Sequence, residues 1–228
     1  MCRDFLKSSI GRKMVVAVTG LFLWGFVVVH MLGNLQIFLG QEALNAYAHK
    51  LQSLPLLLWP ARAFLLAVFI VHLWFSLRLA VENRRARPIG YAKKDTVQAS
   101  AASRTMALSG MILLAFVIYH LLHFTFGVTN PDFFNRTDAK GWHDVYAMSV
   151  LSFQNYFITG SYVVAMFFMC FHLSHGLASL PQSLGLSDEK WKARFKILGN
   201  VIALAVFIGN SSIPLSVLFG IIKLPLGR

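Results

Sequence analysis

The stretch MVVAVTGLFLWGFVVVHMLGNLQIFLG, residues 14–40, contains no Asp, Glu, Lys or Arg. A run of about 20 apolar residues is long enough to cross the hydrocarbon core of a bilayer as a helix. Four further long apolar runs cover residues 56–81, 105–128, 156–180 and 197–222. Since 57% of the 228 residues are hydrophobic and only 13% are charged, we predict an all-α integral membrane bundle of five transmembrane helices, forming a single membrane domain over residues 1–228.

Lys and Arg are unevenly divided between the two ends of these spans. Fifteen belong to the N-terminal segment and the links between spans two and three and spans four and five, against six at the opposite ends. Because cytoplasmic segments are enriched in Lys and Arg, we expect a cytoplasmic N-terminus and an outside C-terminus. The basic residues behind the net charge of +12 flank the spans and do not form one patch. Membrane topology therefore explains this charge, and no nucleic-acid partner is expected.

Each of the first four spans carries one histidine that is followed directly by Met or Leu, namely His30, His72, His120 and His172. Imidazole is costly in hydrocarbon and is usually functional there. From the helical rise, His30 and His120 lie about 25 and 24 Å from their cytoplasmic ends, whereas His72 and His172 lie about 9 and 13 Å from theirs. Two pairs at two depths fit the axial ligands of two haems in the core of helices one to four, an outer haem between helices one and three and an inner haem between helices two and four.

Two further histidines complicate this assignment. His123 and His175 lie one turn beyond His120 and His172 on the same helical face, so either is an alternative ligand that spacing alone does not exclude. A histidine that only hydrogen-bonds a neighbouring helix is the alternative for each one. With two cysteines in the whole chain, a cysteine-ligated iron–sulfur cluster and covalent haem attachment are excluded.

Four segments resemble a known family: Val29–Asn34 (VHMLGN), Gly40–Pro55 (GQEALNAYAHKLQSLP), the IYH that ends at His120, and Phe171–Leu177 (FHLSHGL). They are similar to the single-chain, five-helix, di-haem cytochrome b anchor of menaquinone-type succinate dehydrogenases and fumarate reductases, and the resemblance covers nearly the whole chain. It implies that the four histidines ligate the iron of two haem b groups, pairing helix one with three and two with four. His123 and His175 fall outside the family pattern and are candidates for haem propionate contacts, together with Arg12, Lys13 and Arg78.

The resemblance also implies partners. A flavoprotein subunit interconverts succinate and fumarate, an iron–sulfur subunit relays electrons on the cytoplasmic side, and the anchor exchanges them with menaquinone near the outer haem. The expected location is a bacterial cytoplasmic membrane, with lipid around the bundle. No catalytic residue is assigned in this chain, because it has neither a Gly-rich dinucleotide motif nor a set of cysteines.

Polar residues at the outer end are candidates for contacting the quinone. They are Asn34, Gln36, Glu42, Tyr47, His49, Gln52, His143 and Asp144. Glu42 and His49 lead because both belong to the GQEALNAYAHKLQSLP loop motif; a solvated loop is the alternative. Some fumarate reductases of this type carry a glutamate two residues before the fourth ligand, where this chain has Cys170, so the resemblance does not extend to that carboxylate.

Two other functions are compatible with parts of the pattern. One is the cytochrome b subunit of a different respiratory oxidoreductase, such as a formate dehydrogenase, a hydrogenase or a b561-like system. The other is a haem-free membrane anchor or transporter, in which the histidines serve protons or packing. The direction of the reaction, succinate oxidation or fumarate reduction, is not encoded in these motifs.

Overall fold

The computed structural model describes residues 6–86, 101–185 and 188–225. Every regular element within these ranges is helical, and five helices are long and apolar enough to cross a membrane. The prediction of an all-α protein with five membrane helices is therefore confirmed. In chain order the helices are α1 (Ser9–Asn34), α2 (Gln41–Gln52), α3 (Pro55–Arg85), α4 (Ala101–Arg104), α5 (Met106–His120), α6 (Pro131–Phe134), α7 (Val145–Phe153), α8 (Tyr156–Ser183) and α9 (Glu189–Leu218).

Polar caps determine where the long helices begin. Ser8, Asn155 and Asp188 each accept a hydrogen bond from a backbone N–H in the first turn of α1, α8 and α9, respectively. Such caps satisfy donors that have no partner within the helix. α3 begins instead with Pro55 in its first turn, where a missing N–H costs nothing.

Helix α8 is the centre of the bundle. It packs against α9 along most of its length and also contacts α5 and α1, while α3 packs mainly on α1. A Cβ added at Gly199 of α9 would lie 2.9 Å from Leu177 of α8, so this glycine allows the close approach of the two helices. The diagonal pairs α1/α5 and α3/α8 are not among the packed helix pairs of the described ranges, which leaves space between them.

The segment with the GQEALNAYAHKLQSLP motif is mostly helix α2 and not a loop. Asn45 of α2 is buried, and its Nδ2 donates to Asp144 Oδ1 at 2.9 Å and to Asp138 Oδ2 at 3.1 Å. Its Oδ1 accepts a hydrogen bond from the backbone N–H of Tyr146 at 3.0 Å. Every polar group of this amide is satisfied, and together the bonds fasten α2 to the start of α7. We refer to this end of the bundle as the outer end, after the orientation expected from charge.

A cluster of charged residues joins α1 to α3 at the opposite, inner end. Arg12 is buried, and its guanidinium donates to the Glu82 carboxylate and to the carbonyls of Lys7 and Ser8. Arg78 also donates to Glu82, at 3.1 Å. Arg12 and Arg78 were candidates for propionate contacts; here both are engaged with the same carboxylate.

Replacing Asn45 with Ala should destabilise the outer end. The variant leaves the buried Asp144 without one donor and the Tyr146 N–H without its acceptor, so we expect a loss of about 2–3 kcal/mol in the free energy of unfolding. Thermal unfolding in detergent, followed by circular dichroism, measures this loss. Asn135→Ala is the control, because Asn135 is exposed and should change stability by less than about 0.5 kcal/mol. Equal stability of the two variants would contradict the role given to Asn45.

Candidate metal centres

The outer pair of histidines faces across the gap between α1 and α5. The ring centroids of His30 and His120 are 5.8 Å apart, with an angle of 89° between the ring planes. A metal–imidazole bond is about 2.0 Å long, so two imidazoles on opposite sides of one metal ion have centroids about 6 Å apart. The spacing therefore fits two axial ligands of a single ion.

The inner pair lies between α3 and α8, the other diagonal. His72 lies on α3 and His172 on α8. Each ring also contacts a hydroxyl of a third helix: Thr19 Oγ1 of α1 is 3.1 Å from His72 Nδ1, and Ser109 Oγ of α5 is 3.1 Å from His172 Nδ1.

The bonds of these hydroxyls favour hydrogen on Nδ1 of each inner histidine. The Thr19 hydroxyl is 2.7 Å from the Val15 carbonyl, and the Ser109 hydroxyl is 3.1 Å from the Met106 carbonyl. A hydroxyl that donates its one hydrogen to a carbonyl accepts from the histidine. In that arrangement Nδ1 is protonated, and Nε2 keeps the lone pair that binds a metal ion.

A glycine follows each hydroxyl residue and makes room for the ring. A Cβ added at Gly20 would lie 3.3 Å from His72 Cε1, and one added at Gly110 would lie 3.5 Å from His172 Cε1. The His72 ring therefore lies against the backbone of the neighbouring helix α1, and the His172 ring lies against that of the neighbouring helix α5. We call Thr19-Gly20 and Ser109-Gly110 the inner seats.

The inner seats belong to a repeated pattern that sequence reasoning missed. On α1 the seat begins eleven residues before His30, and on α5 it begins eleven residues before His120. Each helix thus carries an outer histidine and, about 16 Å along its axis, a seat for an inner histidine of another helix. The pattern Ser/Thr-Gly-x9-His on two spans was the signal available in the sequence.

His123 is fully engaged by the protein. It lies in a π turn, Leu121–Thr125, directly after His120. It is 1% exposed, and both ring nitrogens contact polar side chains of the protein. His120 is therefore the ligand candidate on this span. His175 is half-buried on α8 and has no hydrogen-bond partner in the described part of the chain.

A groove of about 190 Å³ opens beside His30 of the outer pair. Its polar lining consists of His30, Asn34, Tyr47, Gln52 and Arg62, and the other lining side chains are apolar. The Arg62 guanidinium lies 5.3 Å above the Trp59 ring, as expected for a cation at a membrane interface. A Cβ added at Gly33 would lie 2.7 Å from the Tyr47 hydroxyl, so the phenol reaches the groove only because position 33 has no side chain.

Glu42 and His49 lie outside this groove. Glu42 is exposed and accepts a hydrogen bond from Lys140 Nζ at 2.6 Å. This hydrogen bond, and then the positive charge of Lys140, lowers the pKa of Glu42 below its ordinary value. His49 stacks on Trp142 with ring centroids 4.2 Å apart.

Of the other polar candidates at the outer end, some line the groove and some lie outside it. Asn34, Tyr47 and Gln52 line the groove. His143 Nε2 is 2.7 Å from the Phe134 carbonyl, and Asp144 is bonded by Asn45. The groove is therefore lined by some of the polar residues predicted to contact the quinone, which belong to α1 and α2. It is also lined by Arg62 of α3, which was not predicted.

Comparison with known proteins places the chain in a family. Residues 83–209, more than half of the chain, match the model of the succinate dehydrogenase/fumarate reductase transmembrane subunit family; they include α5, α8 and most of α9, and with them His120 and His172. No curated protein and no solved structure matches. The family consists of haem b-containing cytochrome subunits that associate with flavoprotein and iron–sulfur subunits. The chain belongs to the succinate dehydrogenase/fumarate reductase transmembrane subunit family and is a multi-pass membrane anchor subunit of such a complex.

Proposed function

We propose that this anchor is a di-haem cytochrome b of a succinate:quinone or quinol:fumarate oxidoreductase. His30 and His120 would hold an outer haem b, and His72 and His172 an inner haem b. The observation that carries the proposal is the arrangement of four half-buried histidines as two pairs on diagonal helices, with Nδ1 of each inner histidine in contact with a hydroxyl of a neighbouring helix. Haem bound in this way supplies reversible one-electron transfer.

The position of the two pairs supports a relay between the two sides of the membrane. His30 of the outer pair adjoins the groove, and the inner pair lies toward the end where Arg12 and Arg78 meet Glu82. We infer that the iron–sulfur subunit docks at this inner end, which is cytoplasmic by the charge rule, and that the membrane is the bacterial cytoplasmic membrane. The chain's own part is to orient the imidazoles and exclude water.

We further propose that the groove takes the menaquinone head group. Tyr47, Asn34 and Arg62 offer hydrogen-bond donors for a quinone oxygen, and the remaining apolar lining suits the ring. Glu42 and His49 stay predictions for the proton exchange, acting from the opposite face of α2. Of the two, Glu42 is the less suited to accept a proton, because its pairing with Lys140 favours the carboxylate.

The haem assignment is tested by counting haem in the purified complex. We expect two b haems per chain in the reduced-minus-oxidised spectrum of the wild type. His30→Ala and His120→Ala should lose the same haem, and His72→Ala and His172→Ala the other, because each haem loses one of its two ligands. His143→Ala is the control and should keep both haems. A wild-type complex without haem, or losses that do not pair in this way, would refute the assignment.

The inner seats should determine how tightly the inner haem is held. Removing a hydroxyl that orients a ligand histidine typically weakens metal binding about 10- to 100-fold, so Thr19→Val and Ser109→Ala should release the inner haem first. Haem transfer to apomyoglobin, followed by its spectrum, measures the release. Thr19→Ser keeps the hydroxyl and is expected to behave like the wild type. Release of the outer haem first would show that the seats serve another purpose.

The groove assignment is tested at Gly33. A methyl group there must displace the Tyr47 hydroxyl, so Gly33→Ala and Tyr47→Phe should both raise the KM for menaquinol about two- to tenfold, the equivalent of one hydrogen bond. Steady-state assays of the whole complex with fumarate measure this KM. Gly25→Ala is the matched control on the same helix, because a Cβ at Gly25 meets nothing within 4 Å. An unchanged KM in both test variants, with both haems present, would place the quinone elsewhere.

A further inference from the structure

The proposed outer ligand His120 contacts the phenol of a tyrosine, whereas the proposed inner ligands contact the hydroxyls of Thr19 and Ser109. Tyr162 Oη of α8 lies 3.4 Å from His120 Nδ1 and 2.9 Å from His123 Nδ1. Tyr162 is buried, and its ring packs among Phe116, Phe124 and other aromatic side chains. The hydroxyl therefore has these two imidazoles as its partners in the described structure.

The contacts continue from His123 toward the outer end. His123 Nε2 is 3.0 Å from Ser152 Oγ and 2.8 Å from the side-chain amide of Asn130. Ser152 and His123 are both buried, while Asn130 is half-buried in the segment before α6. The contacts thus form a chain from the ligand histidine through Tyr162 to His123, where it branches to buried Ser152 and to half-buried Asn130.

Ligation at His120 gives this chain a single direction. If Nε2 of His120 binds a metal ion, Nδ1 must carry the hydrogen and donate to Tyr162. The hydrogen of Tyr162 must then go to Nδ1 of His123, whose own hydrogen lies on Nε2. Asn130 Nδ2 lies 2.8 Å from this Nε2, and a nitrogen donor there requires an unprotonated Nε2. The direction set by His120 therefore requires the Asn130 amide to be turned over, so that its oxygen faces Nε2.

We propose that Tyr162 is a positioning residue for the outer ligand, and that His123 holds the Tyr162 hydroxyl in the orientation that accepts from His120. The inference rests on the proposed haem site. A hydroxyl that donates to one group becomes a stronger acceptor for another. A stronger acceptor at Nδ1 makes the imidazole a more basic ligand, which favours the oxidised metal ion and lowers the potential of the outer haem.

The role of Tyr162 is tested by redox titration of the whole complex, followed in the haem absorbance bands. The outer haem is identified as the one missing from His30→Ala. Tyr162→Phe should raise its midpoint potential by about 59 mV, which corresponds to a tenfold change in relative affinity for the two oxidation states in a one-electron couple. The inner haem should keep its potential.

Two further variants follow the chain outward. His123→Leu removes the acceptor of the Tyr162 hydrogen and should shift the same haem in the same direction by less. Ser152→Ala should produce the smallest shift. Of Tyr162, His123 and Ser152, Ser152 is furthest from the ligand His120, so its variant is the most certain to keep the outer haem. If Tyr162→Phe loses the outer haem, the potential of Ser152→Ala tests the proposal instead. An unchanged outer potential in Ser152→Ala would then overturn the proposal.

Tyr119→Phe is the matched control. The Tyr119 ring lies 5.9 Å from the Tyr162 ring and 5.4 Å from the His123 ring, but its hydroxyl bonds to no histidine of the described chain. Its removal should leave both potentials unchanged. Two bound haems with an unchanged outer potential in Tyr162→Phe would overturn the positioning role and leave the di-haem function intact. A wild-type complex without two haems would instead refute the proposed function itself.

Discussion

An imidazole between membrane helices is stabilised when its ring nitrogens find polar partners, because burying an unpaired polar group in an apolar environment is costly. For His72, His172 and His120 the partner of Nδ1 is a hydroxyl on another helix. For the inner two, that hydroxyl also contacts a carbonyl of its own helix, which favours hydrogen on Nδ1 and a lone pair on Nε2. The arrangement of four of the five membrane helices, α1, α3, α5 and α8, around two diagonal gaps is consistent with this requirement.

The two depths of the bundle meet the requirement in different ways. At the inner depth, a short hydroxyl bonded to its own helix and a glycine beside it are enough to seat each ring. At the outer depth, His120 instead contacts a phenol that is itself bonded to a second, fully buried histidine. The groove lies at the same end of the bundle. The ligand histidine with the larger hydrogen-bond network is therefore the one nearer to the proposed site of electron exchange with quinone.

Helix α2 shows how secondary structure separates the polar residues of a motif that was assigned to a loop. In a loop, Glu42 and His49 are the obvious polar candidates. In a helix, residues seven apart share a face, and this pair faces Lys140 and Trp142. Tyr47 lies on the other face, where it lines the groove with Leu44 and Leu51.

The sequence by itself determined the membrane class, the five spans and the depths of the four histidines, because hydropathy and helical rise are local properties. Only the tertiary structure decided what surrounds each ring. The seat contacts join residues 53 and 63 positions apart, and the contacts that bury His123 join it to Tyr162 and Ser152, 39 and 29 positions away. These contacts depend on how closely neighbouring helices approach and how each is rotated about its axis, which the pattern of a single helix does not specify.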